Sequence, residues 1–277
     1  MVFRATVVCL LSCAVGTAVA ATPRITAPDA TSRAVQRIDD YATATEAARA
    51  AGGMLLVSVE PHGGESPLDR PGLEERFASV ATPWVFCRAD AAAAASLAAD
   101  PGLVELRGGG GLFVVDHAHD AWRGRIVSVL PHTPGKYYRF APHHLDQLPS
   151  LPAGSLTQRS MILAVRLHPE RPRSTDGFCD PGLCSEAEAH SAHQARLRRQ
   201  GHHGWETRSQ RLGGAVAEVC AQSWENQDLL DSCVDCVASW RQSPGHWRAV
   251  SGSHAAYAYD IRRGGNGIWY ATGIFRE

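Results

Sequence analysis

Trp240-Arg241-Gln242-Ser243-Pro244-Gly245-His246 closes one helical pattern and carries a histidine just past its end. A helix is predicted over residues 228 to 241, and Pro244-Gly245 stops it. Downstream lie two strand-like runs, residues 255 to 261 and 267 to 275. The glycine-rich turn Arg263-Gly264-Gly265-Asn266-Gly267 predicts that they form a hairpin. Upstream, Ser185 and Glu188 have capping-box spacing and predict a helix from 185 to about 200, stopped at Gly201. His202-His203-Gly204-Trp205 follows. A further helical stretch is predicted near residues 216 to 222, holding Glu218.

These residues resemble a bacterial CAP domain, of the cysteine-rich secretory, antigen 5 and pathogenesis-related superfamily (SCP-like). The resemblance covers residues 155 to 277. His190-Ser191 and Ala195 match a His-Ser-x-x-x-Ala helix that leads to a histidine-bearing loop. Glu218 matches the glutamate of a Gly-Glu-Asn-like element, although its neighbours Ala217 and Val219 do not. Trp240 to His246 matches Trp-x-x-Ser-Pro-Gly-His in full, the most specific part of the likeness. Tyr257-Ala258-Tyr259 and Trp269-Tyr270-Ala271-Thr272-Gly273-Ile274-Phe275 match the closing strands. The resemblance implies an α-β-α sandwich with a ligand-binding cleft lined by His202, Glu218 and His246. His202 is preferred over His203 because the family's histidine is commonly followed by x-Gly. The fuller family tetrad has a second glutamate on the tryptophan helix; residues 239 to 243 hold none, and Asp235 is a weak substitute.

Two neutral imidazoles, His202 and His246, can bind a divalent metal such as zinc, with the Glu218 carboxylate as third ligand or orienting partner. The same trio can act as general acid and base, or form a structural hydrogen-bond network. Trp205, Trp240, Trp247 and Trp269 offer aromatic surface, two or more of them as core. His117, His119, His143 and His144 have no partners at ligand spacing and read as surface histidines. Cys233-Val234-Asp235-Cys236 has the C-x-x-C spacing of redox and zinc motifs, but mid-helix rather than at a helix start. Disulfides are the favoured reading, including a bridge from Cys220 to Cys233 or Cys236. A structural zinc site would need a second pair, such as Cys179 and Cys184.

The first half reads as a smaller α/β unit. Helices are predicted over 38 to 51, 73 to 80, 91 to 99 and 143 to 148. Strands are predicted over 54 to 59, 84 to 88, 112 to 116 and 125 to 130. This order, over residues 35 to 150, resembles a thioredoxin-like domain. It lacks the family's redox cysteines: the loop after the first strand reads Pro61-His62-Gly63-Gly64-Glu65-Ser66-Pro67, and Gly108 to Gly111 stand where the family has a cis-proline. Dithiol chemistry there is excluded as an expectation. Leu148-Pro149-Ser150-Leu151-Pro152-Ala153-Gly154 is the expected linker, and residues 162 to 167 form a strand-like apolar run.

The fold class expected is therefore α/β plus α+β: a degenerate thioredoxin-like domain, then a CAP-like sandwich. Residues 1 to 20 read as a signal peptide, with Arg4 before an apolar run and Ala18-Val19-Ala20 as cleavage site; 21 to 34 read as a flexible lead. An exported protein, periplasmic or extracellular, is expected. A loose lipobox at Leu10-Leu11-Ser12-Cys13 makes anchoring at Cys13 a minor alternative. No later segment has the roughly 18 apolar residues of a membrane span. The net charge of −1 argues against nucleic acid as a partner. The expected function is recognition of an extracellular or envelope ligand (polymer, peptide or lipid), and the alternative is a metal-assisted hydrolase acting on such a polymer.

Overall fold

A computed structural model describes residues 34–60, 65–89, 93, 96–97, 100–107 and 109–277. The expected signal peptide, most of the flexible lead, most of the loop at Pro61 and most of the helix over 91 to 99 lie outside the described residues. No described helix is long and apolar enough to cross a membrane. The architecture is mixed α/β, with two mixed sheets inside one compact unit, Ser32–Glu277.

The first sheet has the order β1-β3-β2-β4-β5, from β1 (Gln36–Arg37), β2 (Met54–Val59), β3 (Trp84–Ala89), β4 (Gly111–Asp116) and β5 (Arg125–Pro131). β2 runs parallel to β3 and antiparallel to β4. Strands β2 to β5 are largely apolar runs bounded by glycine, proline or polar residues, as expected of strands covered on both faces, whereas β1 is a short exposed edge. Alternate residues supply two cores. Leu55, Val57, Val85 and Phe113 pack with helix α1 (Tyr41–Ala51), which Asp40 caps and a left-handed Gly52 ends. Met54, Leu56, Phe86 and Val114 face the other way, toward the rest of the molecule. A short helix, α2 (Leu73–Ala78), puts Phe77 edge-on against Trp84 and Phe86.

The second sheet has the order β6-β8-β9-β7, from β6 (Phe178–Cys179), β7 (Val216–Gln222), β8 (Ala256–Arg263) and β9 (Trp269–Arg276). β8 and β9 form the expected antiparallel hairpin. Helix α4 (Pro181–Leu197) packs on one face, over Ala256, Ala258 and Ile274. On the other face, Tyr257, Tyr259, Ile261, Ala271 and Phe275 join the same core as Met54 and Leu56. That continuous core is filled by α3 (Leu156–Leu167) and α6 (Leu229–Arg241), which lie between the sheets. Two further α-helices among the described residues are α5 (Trp205–Arg211) and α7 (Pro244–Ser251).

Several expectations are corrected. Residues 162 to 167 belong to helix α3, not a strand. Every residue from Gln158 to Val165 is buried, so the helix shows no polar stripe and its apolar run mimics a buried strand. Residues 216 to 222 are strand β7, not a helix, paired along their whole length with β9. Helix α4 starts at Pro181 with Asp180 as its cap, not at Ser185; the Ser185 hydroxyl instead donates to the Pro181 carbonyl. The closing helix near 143 to 148 is a 3-10 helix, Pro142–Ser150. His117 is buried rather than a surface residue, and His144 is half-buried against Tyr138 and Phe140, where burial pushes its pKa down to about 4.

Polar clasps also tie the halves. Asp231 on α6 accepts from the backbone N–H of Tyr137 and Tyr138 at 2.6 and 2.7 Å. A side chain at Gly135 would put its Cβ 2.3 Å from the Asp231 carboxylate, so only glycine is tolerated there. Glu105 accepts from the Leu229 N–H at the start of α6. The Arg159 guanidinium, buried on α3, donates to Ser128 on β5 and to the carbonyls of Leu151 and Pro152. The expected linker is thus held by buried hydrogen bonds.

Ile162 sits in the core that both sheets share. Ile162→Ala is expected to cost about 2–5 kcal/mol. Urea transitions followed by circular dichroism and by tryptophan fluorescence should shift together. Two separated transitions would show instead that each sheet unfolds on its own.

Candidate functional site

The site is built around Glu218, whose side chain is only 1% exposed. Strand alternation puts Val219 and Ala221 into the central core and sends Glu218 and Cys220 to the other face. A buried carboxylate must be paired, and three side chains meet it. The Arg208 Nε donates to Glu218 Oε2 at 2.9 Å, and a second guanidinium N–H reaches the same oxygen. The His202 Nδ1 lies 2.9 Å from Oε1. The His190 Nε2 lies 3.7 Å from that oxygen. Burial alone would raise the Glu218 carboxyl, but the His202 hydrogen bond and the nearby His190 and Arg208 outweigh it and hold it below its usual 4.5.

The loop bearing His202 is placed by two glycines and by helix α4. Gly201 and Gly204 have φ values of 152° and 70°, which side chains disfavour, and the chain turns sharply between them. The Gly201 carbonyl accepts from His190 Nε2 at 2.9 Å, while the Gly201 N–H donates to Gln194 Oε1 at 3.0 Å. Gln194 and Ser191 both donate to Thr272 on β9. The His190-Ser191 element therefore fastens this loop to the sheet. His203 points elsewhere, with its ring 6.0 Å from that of His193.

His246 stands in the first turn of α7, which Pro244 opens. Its ring centroid is 5.9 Å from that of His202. Burial first, and His202 second, lower its pKa and favour the neutral imidazole. The structure thus brings His202, Glu218 and His246 together. It adds three neighbours that the sequence reading did not assign to the site: His190, Arg208 and Cys220. Arg208 lies on α5, where its guanidinium also stacks over Trp205, a placement visible only in three dimensions.

The expected bridge from Cys220 to Cys233 or Cys236 is not made. Cys233 and Cys236 are buried in the central core, whereas Cys220 faces His202 and Glu218, 3.7 Å from each. Asp235 is no second cleft glutamate either; it lines a separate pocket with Tyr137 and Trp224.

Donor atoms of His190, Glu218 and Cys220 all lie within 4.8 Å of one another, and this group could hold a metal ion. Binding there requires proton losses. A carbonyl only accepts, so the His190 Nε2 that bonds Gly201 carries the proton. Burial first, then the Glu218 charge, push the Cys220 thiol well up, away from the thiolate a metal needs. His202 is arranged differently. An ionised Glu218 only accepts, so His202 Nδ1 is the donor and the lone pair is on Nε2. In comparisons with known proteins, the chain matches no family model, no curated protein and no solved structure.

Arg208→Met removes the cation that neutralises Glu218. It is expected to destabilise the protein by about 3–5 kcal/mol at neutral pH. Because the folded carboxyl is held low, its stabilisation is present above pH 4.5 and is lost as pH falls through the folded value. The gap in urea midpoint between the wild type and Glu218→Gln should therefore close in acid. A gap constant from neutral pH down to strong acid would refute the buried carboxylate.

Proposed function

We propose that this is an exported CAP-type recognition protein, which binds an extracellular or envelope ligand in a cleft lined by His202, Glu218 and His246. The observation that carries the reading is the 2.9 Å contact from His202 Nδ1 to the buried Glu218, beside His246. A carboxylate that holds one imidazole nitrogen leaves the other free for a ligand or a divalent metal. Zinc on His202 and His246, with Glu218 orienting His202 from behind, is the metal reading this geometry favours. When bound, such an ion would supply Lewis acidity and an anchor for an oxygen of the ligand. The sheet with α4 on one face and α3 and α6 on the other supports the CAP-like sandwich.

Recognition is favoured over hydrolysis by the state of Glu218. A general base needs a carboxylate open to water. Glu218 is buried and already engaged by Arg208 and His202. In the first half, the order of helices and strands supports the thioredoxin-like reading, and we assign that part a scaffolding role rather than dithiol chemistry.

Zinc titration by calorimetry tests the cleft. The wild type should bind, His202→Ala and His246→Ala should lose binding, and Glu218→Gln should weaken it about 10–100-fold. Affinity should fall as pH drops through the histidine range, since protons compete for the same lone pairs. No zinc uptake by the wild type at neutral pH would remove the metal from the proposal.

A further inference from the structure

We propose that Cys179 and Cys184 are a disulfide-forming pair that reacts by exchange with disulfide oxidants and staples β6 to the start of α4. Their sulfurs lie 3.5 Å apart, in contact. Both residues are partly exposed, whereas Cys220, Cys233 and Cys236 are buried. An S–S bond of about 2.05 Å needs the sulfurs to close by only ~1.5 Å. Small rotations of two short side chains can supply that.

The local sequence explains the contact. In Phe178-Cys179-Asp180-Pro181-Gly182-Leu183-Cys184, Cys179 pairs with Tyr257 on β8. Asp180 is the helix cap, accepting from the Leu183 N–H at 2.9 Å, and Pro181 opens the first turn. The Cys184 N–H donates to the Asp180 carbonyl at 2.8 Å, closing the turn that brings Cys184 back over Cys179. Arg276 holds Asp180 at 2.9 Å, so the cap is itself anchored. Unlike Cys233 and Cys236, this pair sits at a helix N-terminus, where the dipole favours a thiolate.

The two sulfurs have different roles. The Cys184 hydrogen bond lowers the Cys179 pKa against the opposing effect of burial, with Arg166 assisting; the same bond raises Cys184. Cys179 also stands just ahead of the Asp180 cap, at the positive end of α4, whereas Cys184 lies inside the helix, so Cys179 is the attacking thiolate. It bonds to one sulfur of the oxidant's disulfide and expels the other as a thiolate. Cys184 then gives its proton to solvent, bonds to the Cys179 sulfur and expels the second oxidant thiolate. The protein loses two protons and two electrons, and the oxidant becomes two thiols. The closed staple fixes the end of α4, whose His190 and Gln194 hold the Gly201 loop. None of this depends on what the cleft binds.

The test uses the full chain, reduced and then exposed in native buffer to glutathione disulfide. Acid quench, alkylation and tryptic mapping follow. The peptide from Ser174 to Arg196, which holds both cysteines, should be lighter by two hydrogens and resist alkylation until reduced. Cys184→Ser should trap a glutathione adduct on Cys179, and Cys179→Ser should trap less on Cys184. The oxidised chain should melt at a higher temperature than the reduced one. A peptide still alkylated at both cysteines, pairing of either with another cysteine, or identical melting of both forms would overturn the proposal.

Discussion

A helix buried on every side exists only where apolar surface surrounds it, and α3 meets that condition because both sheets close on it. Its run from Gln158 to Val165 is buried throughout, and its apolar residues join those of the two sheets in one core. The position costs desolvation of Arg159. That guanidinium is fully buried, its pKa is pushed down to about 10 by burial, and among the described residues no carboxylate hydrogen-bonds to it. Three oxygen acceptors, from β5 and from the segment just before α3, take its place. Packing and hydrogen bonding thus agree on one arrangement of helix, crossing segment and both sheets.

The candidate site hangs from the far face of the second sheet. There the constraint is charge rather than apolar area. Glu218 lies beneath a surface histidine and can stay ionised only because Arg208 and His202 reach it from the loop and helix that follow Gly201. The loop needs the carboxylate for its conformation, and the carboxylate needs the loop for its partners. His190, one turn before Gln194 on α4, serves both, holding the Gly201 carbonyl while lying 3.7 Å from Glu218.

Much of this was legible in the sequence wherever local signals were strong. Strands β2 to β5 are largely apolar runs with clear punctuation, the β8–β9 hairpin is marked by its glycines, and Pro244-Gly245 marks the end of α6, although the helix α7 that begins there was not foreseen. His202, Glu218 and His246 were chosen from sequence, and they do converge. What failed was pattern without contrast. The α3 run is apolar on all sides, so periodicity could not separate helix from strand. In β7, Ala217, Cys220 and Ala221 blur the alternation, and the lone Glu218 resembles a helix's polar position. Arg208 and Cys220 were missed because their importance comes from contacts across the fold. The expected bridge from Cys220 to Cys233 or Cys236 failed because β7 turns Cys220 away from the core that holds the other two.

The pairing of β7 with β9 places Glu218 opposite Ile274. A slip of one residue would turn every β7 side chain to the opposite face. Glu218 would then enter the central apolar core, without Arg208 or His202, and Val219 and Ala221 would leave it. The same carboxylate that organises the candidate site therefore acts as an alignment pin during folding. It makes the misregistered strand far more costly than the native one, where an all-apolar strand would leave the two nearly equal.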